Sequence, residues 1–344
     1  MHMADAVLSP AVGATFWAGT LAAIGFASKK LKENIDDKMI PLMGVLGAFI
    51  FAAQMVNFTI PGTGSSGHIG GGMILSVIVG PHAAFLALAS VLSVQALFFA
   101  DGGLLALGCN IWNLGVYPCF VAYPLIYRPL VGAGNNRRRV LGASVLSVVV
   151  ALQAGAFSVV LETLLSGKSE LPLGTFALFM QPIHLVIGIV EGIVTAGVIS
   201  YVRTARPELL GNLSPSRPFD ALPMKNVLVG FLALAFITAG ALSWFASTHP
   251  DGLEWSIARI TGKTGLVGQE QGIATAVKEI QEKTAVLPGY NVRPVGHEPK
   301  QDGSAESWPN MKAGTSLSGI IGAGLVLGFI LLIGAGIRAF RHRH

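Results

Sequence analysis

Eight apolar stretches, at about 10–28, 39–58, 82–100, 104–127, 140–165, 177–202, 226–247 and 316–337, are each long enough to cross, or nearly cross, a hydrocarbon core about 30 Å thick. A ninth, shorter one lies at about 70–80. Lipid offers no hydrogen bonds to an open backbone, so such stretches fold as helices. The predicted class is an all-α polytopic membrane protein. Composition agrees: 52% of the residues are hydrophobic and only 12% charged, about half the charge of a soluble domain.

The excess of 23 Lys+Arg over 18 Asp+Glu sits in short loops beside apolar stretches, where it sets orientation and marks no nucleic-acid site. Basic loops at 29–38, at Arg128 to Arg139 and at 203–225, and the tail from Arg338 to His344, are expected in the cytoplasm. The loops at 59–69 and 166–176 carry almost no basic excess and are expected outside. This places the N-terminus and His68 together on the extracytoplasmic side of a cell membrane, with the C-terminus in the cytoplasm. The parity requires 70–80, 82–100 and 104–127 to be three separate elements, the first short or tilted, and nine spans in all.

Three parts are expected: a membrane domain at 1–203, a proline-rich cytoplasmic linker at 204–225, and a back module at 226–344. The back module reads as a helix at 226–247, an extracytoplasmic insert at 248–314, a second helix at 316–337 and a basic tail. Within the insert, Gln269 to Lys283 has helical periodicity and Pro288-Gly289 breaks it. There is no internal repeat. Cys109 and Cys119 lack metal-type spacing and read as packing residues. No positively charged stretch and no small-residue cleavage pattern precede the first apolar segment, so a cleaved signal peptide is not expected.

Met1 and His2 carry the most distinctive chemistry. An N-terminal amine, the deprotonated amide of residue 2 and the His2 imidazole close chelate rings on a metal, and one more nitrogen completes a plane. Planar nitrogen coordination suits Ni(II) and Cu(II) rather than Zn(II), Mg(II) or Ca(II). Most terminal dipeptides are simply unstructured, so a fourth nitrogen is needed to argue otherwise. The candidate is His68, in the glycine-rich loop from Gly62 to Gly72. Non-helical backbone at a membrane surface survives where it is buried in protein or lines a cavity, which favours a binding loop. Ser65 and Ser66, beside Gly67, either orient the imidazole or serve as turn residues.

Other polar groups interrupt the apolar runs: His82, His184, Glu162, Glu191, Asn57, Gln95, Asn110, Asn113 and Gln153. Such groups mark function or a polar pair. Glu191 lies two helical turns from His184 on one face, and a structural network is the favoured reading. Glu162, near the outer end of its stretch, is expected to be half solvated. With no His-Glu-x-x-His there is no metallohydrolase motif, and with no Gly-x-x-x-x-Gly-Lys-Ser/Thr there is no P-loop. The chain is not expected to be an enzyme; if it pumps, other subunits supply the energy.

Several segments together resemble the substrate-binding S component of an energy-coupling factor (ECF) transporter for transition metals, the NikM/CbiM family. They are the start Met1-His2-Met3-Ala4-Asp5-Ala6, the loop Gly64-Ser65-Ser66-Gly67-His68 with Gly70-Gly71-Gly72, Asp101-Gly102-Gly103-Leu104 with Leu107-Gly108-Cys109-Asn110, and His184, Gly188, Glu191-Gly192 and Thr195-Ala196. The likeness covers about 1–203 and implies an S-component bundle of about seven helices. It also implies a planar site made by the Met1 amine, the His2 amide and imidazole, and His68. Family members often begin Met-His-Ile-Pro-Asp-Gly, which differs beside the ligands and leaves them intact.

The back module resembles a NikN/CbiN-type accessory of two transmembrane helices carrying the motif Pro250-Asp251-Gly252-Leu253-Glu254. The resemblance implies ATP-driven metal uptake with a transmembrane T component and cytoplasmic ATPase subunits as partners, and no organic cofactor. Ser65-Ser66-Gly67-His68-Ile69 is closer to the nickel version of the loop than to the Ser-Cys-Ser-His-Pro type of cobalt members. The transported substrate is therefore expected to be Ni(II), with Co(II) for cobalamin synthesis as the alternative, and a stand-alone metal channel or carrier as the other class. Small residues such as Gly19 and Ala23, or Ala48 and Ala52, allow close helix contact, either with a T component or internally.

Overall fold

A computed structural model describes residues 2–34, 39–132, 136–168, 171–206, 224–263, 272–291 and 313–341. The helices are α1 (Pro10–Asn34), α2 (Met39–Gln54), α3 (Gly72–Val79), α4 (Pro81–Phe99), α5 (Leu107–Ile111), α6 (Arg128–Val131), α7 (Arg137–Ser166), α8 (Leu173–Ala205), α9 (Met224–Gly240), α10 (Gly252–Thr261), α11 (Ile273–Thr284) and α12 (Ala313–Arg341). A π-helical stretch, Trp112–Tyr127, joins α5 to α6 and holds Pro118 and Pro124, whose missing N–H groups break the ordinary i→i−4 ladder. Among the described residues six helices are long and apolar enough to cross a membrane, and α2 and α9 are shorter apolar helices. The chain is an all-α polytopic membrane protein, with Leu165, Leu178, Ile193 and Leu332 among the large apolar side chains left exposed on its flanks.

The stretch expected at 70–80 is α3, all of it buried. At about 1.5 Å per residue it is roughly 12 Å long and does not reach across a bilayer. It is separate from α4, because Gly80 (φ 81) turns the chain and Pro81 starts the next helix. The helical run expected from Gln269 is described only from Ile273, residues 264–271 lying outside the described part; Pro288–Tyr290 then forms a single tight turn, with Gly289 at φ 60.

Close packing fixes the bundle. On α8, an added Cβ at Gly188 or Gly192 would stand 3.0 or 2.5 Å from the Cα of Val149 or Val145 on α7, so the two helices touch backbone to backbone. Helix α2 is enclosed by α9, α12 and α4, with Gly44 and Gly47 facing Leu327 and Ile330 of α12. Ala48 and Ala52 are therefore fully buried, and Gly19 is filled by Trp112 at 3.0 Å. These small residues serve internal contacts. Of the insert, α10 lies on α8 and α11 on α4, which roofs the bundle above the glycine-rich loop.

Candidate metal centre

The N-terminal segment is pinned inside the protein. Met3 is fully buried; its N–H donates to Asn110 Oδ1 at 2.8 Å, and its carbonyl accepts from Gly103 N at 2.9 Å and Asn110 Nδ2 at 3.3 Å. Asp5, also buried, accepts from Ala106 N at 2.9 Å. Gly103 is required here because a Cβ would collide with the Asp5 carboxylate, and Gly102 turns at φ 79. The Asp101-Gly102-Gly103 and Asn110 motifs thus hold the first residues in place. Met1 lies outside the described residues.

The glycine-rich loop forms a two-stranded antiparallel hairpin, β1 (Phe58–Ile60) with β2 (Ser65–Gly67), turning through Gly62 and Gly64 at φ 76. Beyond it the backbone is gripped at both polarities. Gly70 N and Gly71 N donate to the two carboxylate oxygens of Glu191, each at 2.8 Å, and Gly70 O accepts from Gln54 Nε2 at 2.8 Å. Gln95 Nε2 in turn donates to Gln54 Oε1 at 2.8 Å. Gly71 at φ 79 and Gly72, where a Cβ would come 2.5 Å from Pro118, let the loop enter α3 without a side chain in the way.

These two supports bring His2 and His68 face to face. The rings stack with centroids 5.2 Å apart and an interplanar angle of 12°. His68 Nδ1 lies 3.1 Å from Ile69 O, an arrangement in which Nδ1–H donates and Nε2 keeps its lone pair. His2 Nδ1 lies 3.2 Å from Asp101 Oδ1, and His2 Nε2 is buried with no hydrogen-bond partner among the described residues. Burial pushes both imidazoles below the usual histidine range, and nearby positive charge adds to this at His68, which is brought down to about 3. Both rings are neutral at pH 7, the form that ligates metals. Ser65 and Ser66 point elsewhere: Ser65 Oγ donates to Ser66 O, and Ser66 Oγ to His249 O. Gly67 makes room for Ile187.

The insert closes the other side. Ser66 N donates to Pro250 O at 2.8 Å, extending the hairpin with the Pro250-Asp251 backbone, and Trp255 Nε1 reaches Thr63 O at 2.9 Å. Asp251 caps α10, accepting from Leu253 N and Glu254 N in a capping box with Glu254. Its burial raises the carboxyl pKa, but surrounding positive charge and the Glu254 amide outweigh that and hold it at about 2. Tyr290 donates to Asp101 Oδ2 at 2.5 Å. A cavity of about 370 Å³ lies between the insert and the bundle, lined by His2, His68, Asp101, His249, Asp251 and Tyr290 among others.

The remaining polar residues are not brought into this centre as ligands. His184 pairs with Met180 O at 2.7 Å and rests against Gly252, so it and Glu191 share a helix face without sharing a partner. Glu162 is 1% exposed rather than half solvated, because Asn113 of the π-helical stretch packs over it and donates to it at 2.9 Å. His82, between Phe26 and Phe120, is at the far end of α4, roughly 28 Å from Asp101 by helix length. Among the described residues no group of three or more His, Cys, Asp or Glu is placed to hold a metal ion. Gln54 and Tyr290 had no distinguishing signal as parts of the centre, and Asp101 stood out only within its Asp101-Gly102-Gly103 motif: a loop aspartate, a helix-end glutamine and a tyrosine far along the chain meet only in the fold.

Residues 2–209 match the CbiM family, described as the cobalt uptake substrate-specific transmembrane region, and residues 225–339 match the PDGLE domain. The chain is 30% identical to the fused nickel transport protein NikMN of Rhodobacter capsulatus, over 100% of this chain and 99% of the relative. It is 28% identical to the cobalt transport protein CbiM of Sorangium cellulosum, over 63% of this chain and 97% of that protein. A crystal structure of a transition metal transporter superimposes with a TM-score of 0.53 at 34% identity, covering 59% of this chain and 93% of that one. With the family matched across more than half of its length and a PDGLE domain behind it, this multi-pass membrane protein belongs to the CbiM family of metal transport proteins.

Proposed function

We propose that the chain is the substrate-binding subunit of an energy-coupling factor importer and captures Ni(II) from outside the cell. The observation that carries this reading is the pair of buried, neutral, stacked imidazoles of His2 and His68, 5.2 Å apart, with too few side-chain donors around them among the described residues for an ordinary cage. A metal held there needs other nitrogens, and the first residues of the chain supply them: the Met1 amine and the His2 amide. Together with the two imidazoles they make a plane of four nitrogens, which suits Ni(II). The Rhodobacter capsulatus relative, matched over the whole chain, is named for nickel, whereas the Sorangium cellulosum cobalt relative matches 63% of it, which favours nickel as cargo and leaves Co(II) as the alternative.

In this reading the N-terminus and the His68 loop face outside and the basic tail faces the cytoplasm. A transmembrane T component and cytoplasmic ATPases would drive release inward, since the chain has no P-loop of its own. Uptake by this chain alone would instead favour a channel or carrier. The test is calorimetric nickel titration of the purified full chain, unmodified and with one residue added before Met1. Affinity is expected to collapse in the extended form; unchanged affinity would remove the amine from the ligand set and overturn the planar site.

A further inference from the structure

Beside the candidate centre, two buried atoms with no hydrogen-bond partner among the described residues are chemically complementary: His2 Nε2 and Gln95 Oε1. A ring nitrogen bearing hydrogen donates, and a primary-amide oxygen accepts. Gln95 is fully buried, and its side chain faces His2. Its Nε2 is held by Gln54 Oε1 at 2.8 Å, which leaves Oε1 as its free end. Its backbone carbonyl accepts from Asp101 N at 3.1 Å, so the end of α4 fixes both the glutamine and the carboxylate that touches His2.

His2 Nδ1 faces that carboxylate, 3.2 Å from Asp101 Oδ1. It is also the ring nitrogen that the chelate needs. A metal on the His2 amide nitrogen closes a six-membered ring through Cα, Cβ and Cγ to Nδ1, while Nε2 lies on the far side of the imidazole. A ligating nitrogen presents a lone pair, and the hydrogen bond of the other nitrogen sets which one that is.

We propose that Gln95 is the positioning residue of this centre: nickel capture transfers the His2 hydrogen from Nδ1, facing Asp101, to Nε2, which donates it to Gln95 Oε1. The inference rests on the proposed chelate at His2. The imidazole is neutral before and after; one N–H bond breaks, one forms, and the proton exchanges through water in the adjoining cavity. Asp101 keeps its hydrogen bond from Tyr290 and stays beside the dication as a compensating charge. Through Gln54, which donates to Gly70 O at 2.8 Å, the same relay runs from the ligand on the N-terminal segment to the loop that carries His68. Both ligands are thereby held by one chain of amides.

The test uses the full chain with ¹⁵N-labelled histidine, the His2 signals being assigned by their loss in His2→Ala. Long-range ¹H–¹⁵N spectra are expected to show the Nδ1–H form without metal and the Nε2–H form with Ni(II), which is diamagnetic when square planar. By calorimetry, Gln95→Met is expected to bind nickel about 10–100-fold more weakly, and Gln95→Glu, which keeps an acceptor oxygen, to regain most of that loss. Nickel binding that depends on His2 but is unchanged in Gln95→Met overturns the role of Gln95 and leaves the proposed function standing. An Nδ1–H tautomer in the loaded protein, or wild-type affinity in His2→Ala, overturns both that role and the proposed chelate at His2. If Gln95→Met does not fold, the loaded wild type and Gln95→Asn decide: an Nε2–H that exchanges slowly with water in the wild type and faster in Gln95→Asn, whose shorter side chain withdraws the acceptor oxygen, supports the role, and equal exchange in the two sinks it.

Discussion

Glu191 on α8 and Glu162 on α7 are two glutamates from adjacent, closely packed helices, 3% and 1% exposed, and their surroundings give them opposite jobs. Both Glu191 oxygens accept from backbone N–H groups of the glycine-rich loop at 2.8 Å. Glu162 takes one hydrogen bond from Asn113, and its Oε1 has no hydrogen-bond partner among the described residues. A buried carboxylate is therefore not by itself a functional mark; what it does is set by the backbone it grips. Glu191 positions the chain that leads out of His68, whereas Glu162 joins α7 to the π-helical stretch within the bundle.

The largest effect that would break this contrast is at Glu191. Glu191→Ala leaves two buried N–H groups unpaired, at about 1–3 kcal/mol each. The protein is expected to lose about 3 kcal/mol of stability, and nickel affinity is expected to fall at least tenfold as the His68 loop loosens. Denaturant melts in detergent and calorimetry check both, and an unaltered affinity would reduce Glu191 to packing. Next is His68→Ala, which removes one proposed ligand without touching the Glu191 grip. Affinity should fall about 100-fold or more with the melting curve nearly unchanged, and full retention would eliminate the loop histidine.

A smaller effect concerns the opposite support of the hairpin. Asp251→Ala removes the cap of α10, worth about 1 kcal/mol, and should raise hydrogen exchange across Gly252–Thr261 while sparing α8. The sign with pH follows from the folded carboxyl lying at about 2, below its ordinary value of 3.8. The stabilisation is complete above pH 4 and disappears as pH falls from about 4 to 2. The variant should therefore lack this acid-sensitive step in the protection of α10.

Smaller again is the proton count on nickel binding. With His68 lowered to about 3, its imidazole has no proton to lose at pH 6. Beyond the protons from the amine and the amide, release there should fall short by about three quarters of a proton of what a loop histidine of ordinary pKa would add. Calorimetry in buffers of different ionisation enthalpy measures this. Glu162→Gln should have the least effect, under about 1 kcal/mol and no change in nickel affinity, since the amide oxygen still accepts from Asn113. A large loss of binding there would erase the distinction between the two glutamates.

Much of the fold was legible because lipid leaves a long apolar stretch one solution. The hinge at Gly80-Pro81 and the shortness of α3 were visible, as a break and a short apolar run, but the π-helical register around Pro118 and Pro124 was not, because it does not change the apolar pattern. In the centre, His2 and His68 stood out by residue type, since a histidine beside a chain start and a histidine among glycines are both rare. Ser65 and Ser66 stood out only as neighbours of His68, either orienting its ring or turning the loop, and they bond the loop backbone and the insert, a choice made by where His249 and Pro250 fall. Gln153, one more polar residue in an apolar run, proves to bond the backbone of Gln181 at 2.8 Å.

By itself the sequence determined the class of the molecule, the stretches that must be helical and the two imidazoles worth watching, because hydropathy and residue chemistry are local properties. Only the tertiary structure decided that Glu191 holds the loop rather than a metal, that Glu162 is dry, that Gln54 and Gln95 connect the His68 loop to the surroundings of His2, and that Asp101 and Tyr290 meet beside His2. Those outcomes depend on which groups from distant segments come within 3 Å of one another. A hydrogen bond has that range, and no sequence separation encodes it.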